Sequence, residues 1–402
     1  MPRQPPFDQT PVSGPEASPL ETLAQHHAAG QQLAADLPEP HLFGQHHPDL
    51  SPVGWHLGHC ALVEQHLIGE RILGEPADAS IHALYFPEFS DKRGRSARLP
   101  EREALAAWTT ATHERTRALL AEPPEPLASH PLMRDDYLAH FLEQHYAQHH
   151  ETLAYCLSAI TASRDDSEVA SAPLERLNPC APARETVTVA AGVYTIGTDH
   201  VRGYDNERPA HTVPLDGARL GRNPVSNAEW LAFMVDGGYH TPDYWTQTGD
   251  AWRRASAARQ PWTWHEVEPG HYLWNGPRGR DALEPSAPVS GVNHHEALAF
   301  ARWAGARLPH EFEWEAAAVE GHLHGAGTVW EWCGNALAPY PGFQPFPYDG
   351  YSMPWFDGRH FVLRGGSRFT EPGLKRPSFR NFFEPHVRHQ QAGLRLAWDL
   401  TQ

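Results

Sequence analysis

Apolar and polar positions in the first 160 residues recur at helical intervals. Residues 20–160 consist of long stretches of Ala, Leu, Glu, Gln and His, broken by Pro38, Pro40, Pro76, Pro87 and the prolines at 123, 124 and 126. That punctuation predicts about four helices, and an antiparallel bundle is the economical way for them to share one core. The clearest stripe runs through Leu138, Leu142, His145, His149, Leu153, Cys156 and Ile160, spaced by 4, 3, 4, 4, 3 and 4, which is the inward face of one helix. A second stripe, His59, Leu62, Val63, His66 and Ile72, predicts another inward face. Residues 161–185 are polar, rich in Ser, Ala and Pro, and without sustained periodicity, as expected of a linker. From residue 186 the texture changes to short strand-like pieces, frequent Gly, Pro, Asn and Asp, and many tryptophans. Helices are expected there over 227–236 and 294–304, with a third over 309–318. The lack of βαβ alternation predicts an α+β fold with much irregular structure. The expected organisation is a helical domain over 1–160, a linker over 161–185 and an α+β domain over 186–402.

Composition narrows the possibilities. A chain of 402 residues exceeds what one core usually supports, so two domains are expected. No apolar run approaches the roughly 18 to 20 residues of a membrane span, and the N-terminal stretch lacks the apolar segment of a signal peptide. A cytoplasmic protein with no membrane partner is therefore expected. Cys60, Cys156, Cys180 and Cys333 have no CxxC spacing, which argues against a disulfide framework or a thiolate zinc site. A formal charge of −17 disfavours binding to a phosphate backbone, so nucleic acid is not an expected partner.

The 28 histidines change the picture only where spacing singles them out, because a histidine is more often a surface residue than a ligand. His145 and His149 lie four residues apart on the inward stripe, which places both imidazoles on one helix face within reach of a single ion. His140 and His150 fall off that stripe and read as surface or supporting residues. His59, inward on the second helix, is the leading third ligand, with His56 three residues earlier as its competitor. Three neutral imidazoles leave coordination positions open, which suits an iron(II) that binds substrate and dioxygen, although zinc and copper also accept imidazole.

WHLGH at 55–59 and HYAQHHET at 145–152 resemble the DinB-like helical domain of ergothioneine sulfoxide synthases. That resemblance implies His59, His145 and His149 as iron(II) ligands, dioxygen as co-substrate, and Gln148 at the position that holds the imidazole of hercynine. YDNERP (204–209), NPVSNAEWLAFMVDGGY (223–239), PVSGVNHHEALAFARWAGARLPHEFEWEAAA (288–318), VWEWCGN (329–335), VLRGGS (362–367) and RNFF (380–383) resemble the formylglycine-generating-enzyme fold over about 187–398. The implied fold class is multidomain α and α+β, a DinB-like four-helix bundle followed by a C-type-lectin-like domain. In such proteins the bundle supplies iron and the lectin-like domain closes over it, holding the trimethylammonium and carboxylate of hercynine. The resemblance assigns Asn381 and Phe382 to that pocket, and places Tyr348 and Tyr351 where the family has functional tyrosines. Most of the Trp and Gly residues in these motifs read as scaffold.

Two departures bear on the chalcogen donor. Members that use a charged thiol grip it with an acidic and a basic residue just after the RN pair, where this chain has Phe383 and Val387. The tyrosine pair of the bundle is replaced by YFPEFSDKRGR at 85–95. Both losses suit a neutral donor, and the chain is most similar to the selenoneine synthase branch, which joins hercynine to a selenosugar. The alternative is a thiol donor of ergothioneine biosynthesis held by Glu384, Arg388 or the 91–95 loop. A copper-dependent formylglycine-generating oxidase would need a cysteine pair late in the chain, and no cysteine follows Cys333. A non-catalytic lectin-like binding protein would leave three inward histidines on a separate bundle without a purpose.

Overall fold

The computed structural model describes residues 18–164 and 176–400. The chain divides into two compact units, Met1–Ser163 and Arg164–Gln402. Residues 165–175 of the expected linker lie outside the described residues.

In the first unit, α1 (Pro19–Asp36) begins at a capping box: Ser18 Oγ accepts from Glu21 N, Glu21 accepts from Ser18 N, and Pro19 occupies the first turn. The short α2 (Glu39–Phe43) leads to α3 (Val53–Glu64), which runs into a π-helical stretch, Gln65–Ile72. Then come α4 (Ala79–Tyr85), capped by Asp78, α5 (Arg102–Ala121), the single turn α6 (Glu125–Ala128) and α7 (Tyr137–Ala162). The long helices form a four-membered bundle in which α1 and α3 each pack on α5 and α7. α7 turns the predicted stripe inward: Leu138, Leu142, His145, Leu153, Cys156 and Ile160 are buried, and His149 is half-buried. The second stripe holds through Val63 but not through His66 and Ile72. From Gln65 the wider i→i+5 turn of the π-helix changes the angular step, and half-buried His66 bonds Glu70 instead of entering the core.

The second unit is built from small sheets joined by long loops. β1 (Thr186–Val189) pairs with β4 (Ala218–Gly221), which also pairs with β12 (Ala397–Asp399); β2 (Gly192–Ile196) and β3 (His211–Leu215) form a hairpin. β5 (Trp264–Glu268), β6 (His271–Gly276) and β7 (Gly279–Ala282) make an antiparallel meander. The central sheet has the order β10 (Asn381–Phe383), β9 (Phe361–Arg364), β8 (Trp330–Ala336), β11 (Ala392–Gly393), with only the β8–β11 pair parallel. Four helices accompany them: α8 (Asn227–Val235), α9 (Gln247–Ser256), α10 (His294–Trp303) and α11 (Glu311–Val319). α8 and α10 start at Ser226/Glu229 and Asn293/Glu296 capping boxes close to the expected positions. α9 is additional; Ala251, Trp252 and Ala255 are its few apolar residues, and its start is fixed by Thr246, whose hydroxyl accepts from Gly249 N at 3.0 Å.

The motifs that resemble the formylglycine-generating fold supply much of this unit's core. Trp314, Trp330 and Trp332 are fully buried, and Glu331 accepts from Trp314 Nε1 at 2.7 Å and from Arg395 through two 2.8 Å bonds. Arg364 of RGGS bonds Glu311 at 2.6 Å, and Arg380 of RNFF binds the same carboxylate through two 2.8 Å bonds. Gly365 and Gly366 take φ of 94° and 93°, values that side-chain-bearing residues avoid, so the backbone can turn beneath Trp314 and Lys375.

Candidate metal centre

His59 on α3 and His145 and His149 on α7 converge inside the bundle, each offering a ligand atom within 4.8 Å of the others. Their ring centroids lie 5.2 Å (His59–His145), 4.8 Å (His59–His149) and 4.6 Å (His145–His149) apart. The four-residue spacing on α7 brings the last pair together, and the packing of α3 on α7 brings the third ring to them.

The surroundings keep these imidazoles neutral, as ligands must be. Burial pushes His59 down, the hydrogen bond to the Tyr85 carbonyl pulls it back up and Arg95 lowers it again, leaving it at about 4. Burial first, and neighbouring histidines second, hold His145 and His149 well below the ordinary histidine range. His59 Nδ1 donates to Tyr85 O at 2.8 Å, which fixes its tautomer and leaves Nε2 with its lone pair. His149 Nδ1 lies 3.0 Å from His56 Nδ1, and His59 rather than His56 belongs to the group whose ligand atoms converge. His145 Nδ1 is buried without a hydrogen-bond partner. Three neutral nitrogen donors with no carboxylate among them fit a borderline divalent ion with room for exogenous ligands.

The local sequence missed part of this arrangement. Trp55 stacks on His59 at 4.9 Å with ring planes 8° apart, and Arg95 lies 3.7 Å above Trp55. Arg95 is buried and donates to Ser90 and Ser51, so it anchors the 90–95 loop against Trp55. His150, off the stripe as expected, bonds His26 at 3.1 Å rather than any member of the three-histidine cluster. A separate buried group, His27, Glu64 and His113, sits deeper in the bundle, with His27 2.7 Å from Glu64. Gln148 is half-buried on α7 beside His149.

In the second unit, Asn381 and Phe382 lie half-buried on β10, and Asn381 Oδ1 accepts from Phe382 N at 2.9 Å. The Phe382 ring is 6.0 Å from Trp355, which is 37% exposed, so the two present an aromatic surface. Trp355 carried no signal in the local sequence. Tyr351 stacks on Tyr204 at 4.6 Å, and Tyr348 stands edge-on to Tyr351 at 6.4 Å. Phe383 packs edge-on against His389 at 6.0 Å, and Val387 is buried. Arg388 is committed to Glu296 through bonds of 3.0 and 2.7 Å and lies over Trp252. His386 is exposed and Glu384 half-buried, 3.8 Å apart. No described helix is long and apolar enough to cross a membrane.

Comparison with known proteins agrees with this division of the chain. The DinB superfamily matches residues 22–153, and the Sulfatase-modifying factor enzyme 1-like domain matches 173–325 and 321–400. A relative from Mycobacterium tuberculosis, named hercynine oxygenase, is 32% identical over 436 aligned positions covering 94% of this chain and 99% of its own. The hercynine oxygenase of Mycolicibacterium smegmatis is 31% identical over 94% and 99% of the two chains. The formylglycine-generating enzyme of Streptomyces coelicolor is 36% identical, but over only 40% of this chain and 55% of its own.

Proposed function

The chain belongs to the hercynine oxygenase family, and from that premise we propose a non-haem iron(II), dioxygen-dependent enzyme that attaches a chalcogen to the imidazole carbon of hercynine. The observation that carries the reading is the convergence of His59, His145 and His149, all neutral, on one point of the bundle. These three would hold the iron, with Tyr85 O and His56 orienting two of the rings. Bound there, iron(II) supplies dioxygen activation and the oxidative chemistry that forms the carbon–chalcogen bond.

The remaining roles fall to side chains of this protein. Gln148 is assigned to the hercynine imidazole, and Asn381 and Phe382 to its trimethylammonium and carboxylate end. The aromatic surface of Phe382 and Trp355 supports that assignment, because a quaternary ammonium is attracted to ring faces. Tyr348 is the first candidate to deliver a proton during dioxygen reduction, and Tyr351 the second.

For the donor, the proposed reading is a selenosugar, giving a carbon–selenium bond. Its support is that the two positions of the charged grip carry the apolar Phe383 and Val387, while nearby Arg388 is tied to Glu296. A thiol donor is the second reading, favoured by the Glu384–His386 pair three and five residues after Asn381. The deciding experiment is aerobic turnover of hercynine by the iron-reconstituted enzyme with a selenosugar and, separately, with γ-glutamylcysteine or cysteine, products being read by mass spectrometry. A selenium-bearing imidazole from the selenosugar alone supports the first reading; a sulfoxide from a thiol alone replaces it with the second.

A further inference from the structure

A second histidine–carboxylate cluster lies outside the three-histidine centre. His66 and Glu70 come from the π-helical stretch Gln65–Ile72, and His82 from α4. Glu70 accepts from both rings, Oε2 from His66 Nδ1 at 2.7 Å and Oε1 from His82 Nε2 at 2.8 Å. The potential ligand atoms all lie within 4.8 Å of one another. Phe86 forms an apolar wall, with both imidazoles standing edge-on to its ring at 5.1 and 4.8 Å. The side chains are 27%, 8% and 20% exposed in the order His66, Glu70, His82, so the cluster is shielded yet open to solvent on one side.

We propose that His66, Glu70 and His82 form a second divalent-cation site, with zinc the fitting ion, separate from the centre at His59, His145 and His149. Two imidazoles and a carboxylate are a common zinc donor set, and the open side leaves the fourth position to water. Donors about 2.0–2.2 Å from a tetrahedral ion lie roughly 3.4 Å apart. The two nitrogen–oxygen separations here are 2.7 and 2.8 Å, so modest rotations open the cluster around an ion. Each bonded ring nitrogen must give up its proton, which a neutral imidazole achieves by carrying it on the other nitrogen; the ion then replaces the two N–H···O bonds. The π-helix matters because π-helical turns concentrate at functional sites, and here one supplies two of the three donors. The bound ion would clamp this turn to α4, whose last residue, Tyr85, provides the carbonyl that orients His59. The proposal does not depend on the reaction assigned above.

The test is a zinc titration of the full chain already loaded with one equivalent of iron, with both metals counted by elemental analysis after gel filtration. Wild type is expected to take up one further zinc per chain while keeping its iron. His82→Ala and Glu70→Gln, of which the second preserves shape, are each expected to lose that equivalent and keep the iron. X-ray absorption at the zinc edge should report two imidazole nitrogens and oxygen donors. No second equivalent in wild type, or one that survives in both variants, overturns the proposal and leaves a hydrogen-bonded His–Glu–His staple.

Discussion

In the helical unit, burial holds His26, His56, His59, His113, His145, His149 and His150 neutral, whereas in the second unit arginines offset the burial of several carboxylates. Burial alone would push Glu311 up, but Arg380 and Arg364 outweigh it and hold the carboxyl at about 2. Glu207 with Arg376 and Glu331 with Arg395 repeat the pairing. The cost being met is the same, desolvation of a charge. The buried histidines of the bundle meet it by leaving the charge off, which keeps lone pairs on nitrogen, while Glu64 keeps its charge beside His27; the loop-rich unit offsets it with fixed ion pairs, which pin segments that have little regular structure. Uncharged donors and a rigid irregular scaffold are thus two outcomes of one physical constraint.

Acid should separate the two units most clearly. A histidine whose folded pKa is depressed stays neutral in the native state while the unfolded chain takes up protons from about pH 6.5 downward. Its stability contribution is therefore complete above about 6.5 and lost as pH falls toward the folded value, about 3 for His26 and about 4 for His59, His113 and His150. Each such group withdraws up to about 1.4 kcal/mol per pH unit in that window. In the second unit the comparable histidines are His294, His295 and His310, and Glu311 gives up its contribution only between about 4.5 and 2. Metal-free protein should accordingly lose its bundle helices before its second core. Helical circular dichroism should fall at a higher pH than tryptophan fluorescence, because only Trp55 and Trp108 precede residue 230; coincident transitions would refute the contrast.

Removing one ion-pair partner should cost nearly as much, but in the other unit. Glu311→Ala leaves Arg380 without its carboxylate partner and Arg364 with Glu315 alone, and about 3–5 kcal/mol should be lost, seen as a lower urea midpoint for tryptophan fluorescence with the helical transition in place. A smaller effect is expected from His56→Leu, which deletes the partner of His149 Nδ1. Iron affinity should drop roughly 10- to 100-fold in a chelator competition, with the thermal transition little changed. Phe382→Leu should be mildest: loss of one aromatic face, about 0.5–1 kcal/mol, should raise KM for hercynine a few-fold and leave kcat nearly unchanged.

Periodicity made the bundle and its inward-facing histidines legible, because a long amphipathic helix such as α7 writes its inward face into every third or fourth residue. α8 and α10 fall close to the expected ranges, and each starts at a capping box written into four neighbouring residues. The π-helical turn left no such mark; Gln65–Ile72 contains no proline, and its one glycine, Gly69, sits mid-segment, so the stripe was extended through His66 where the structure breaks it. α9 escaped because its face is polar and only Thr246 marks its start. Support for the centre was least visible: the Tyr85 carbonyl has no side-chain signature, and the stack of Arg95 on Trp55 joins residues forty positions apart. Likewise, His66 and Glu70 share a helical spacing, but His82 joins them only through the fold.

The most direct test of the central claim is hercynine-dependent dioxygen uptake, measured alongside iron content in wild type and His145→Ala after anaerobic iron(II) reconstitution. Wild type should bind one iron at the three-histidine centre and consume dioxygen only when hercynine and a chalcogen donor are both present, and His145→Ala should lose both the iron and the uptake. Hercynine turnover at the wild-type rate by iron-free His145→Ala would contradict the account.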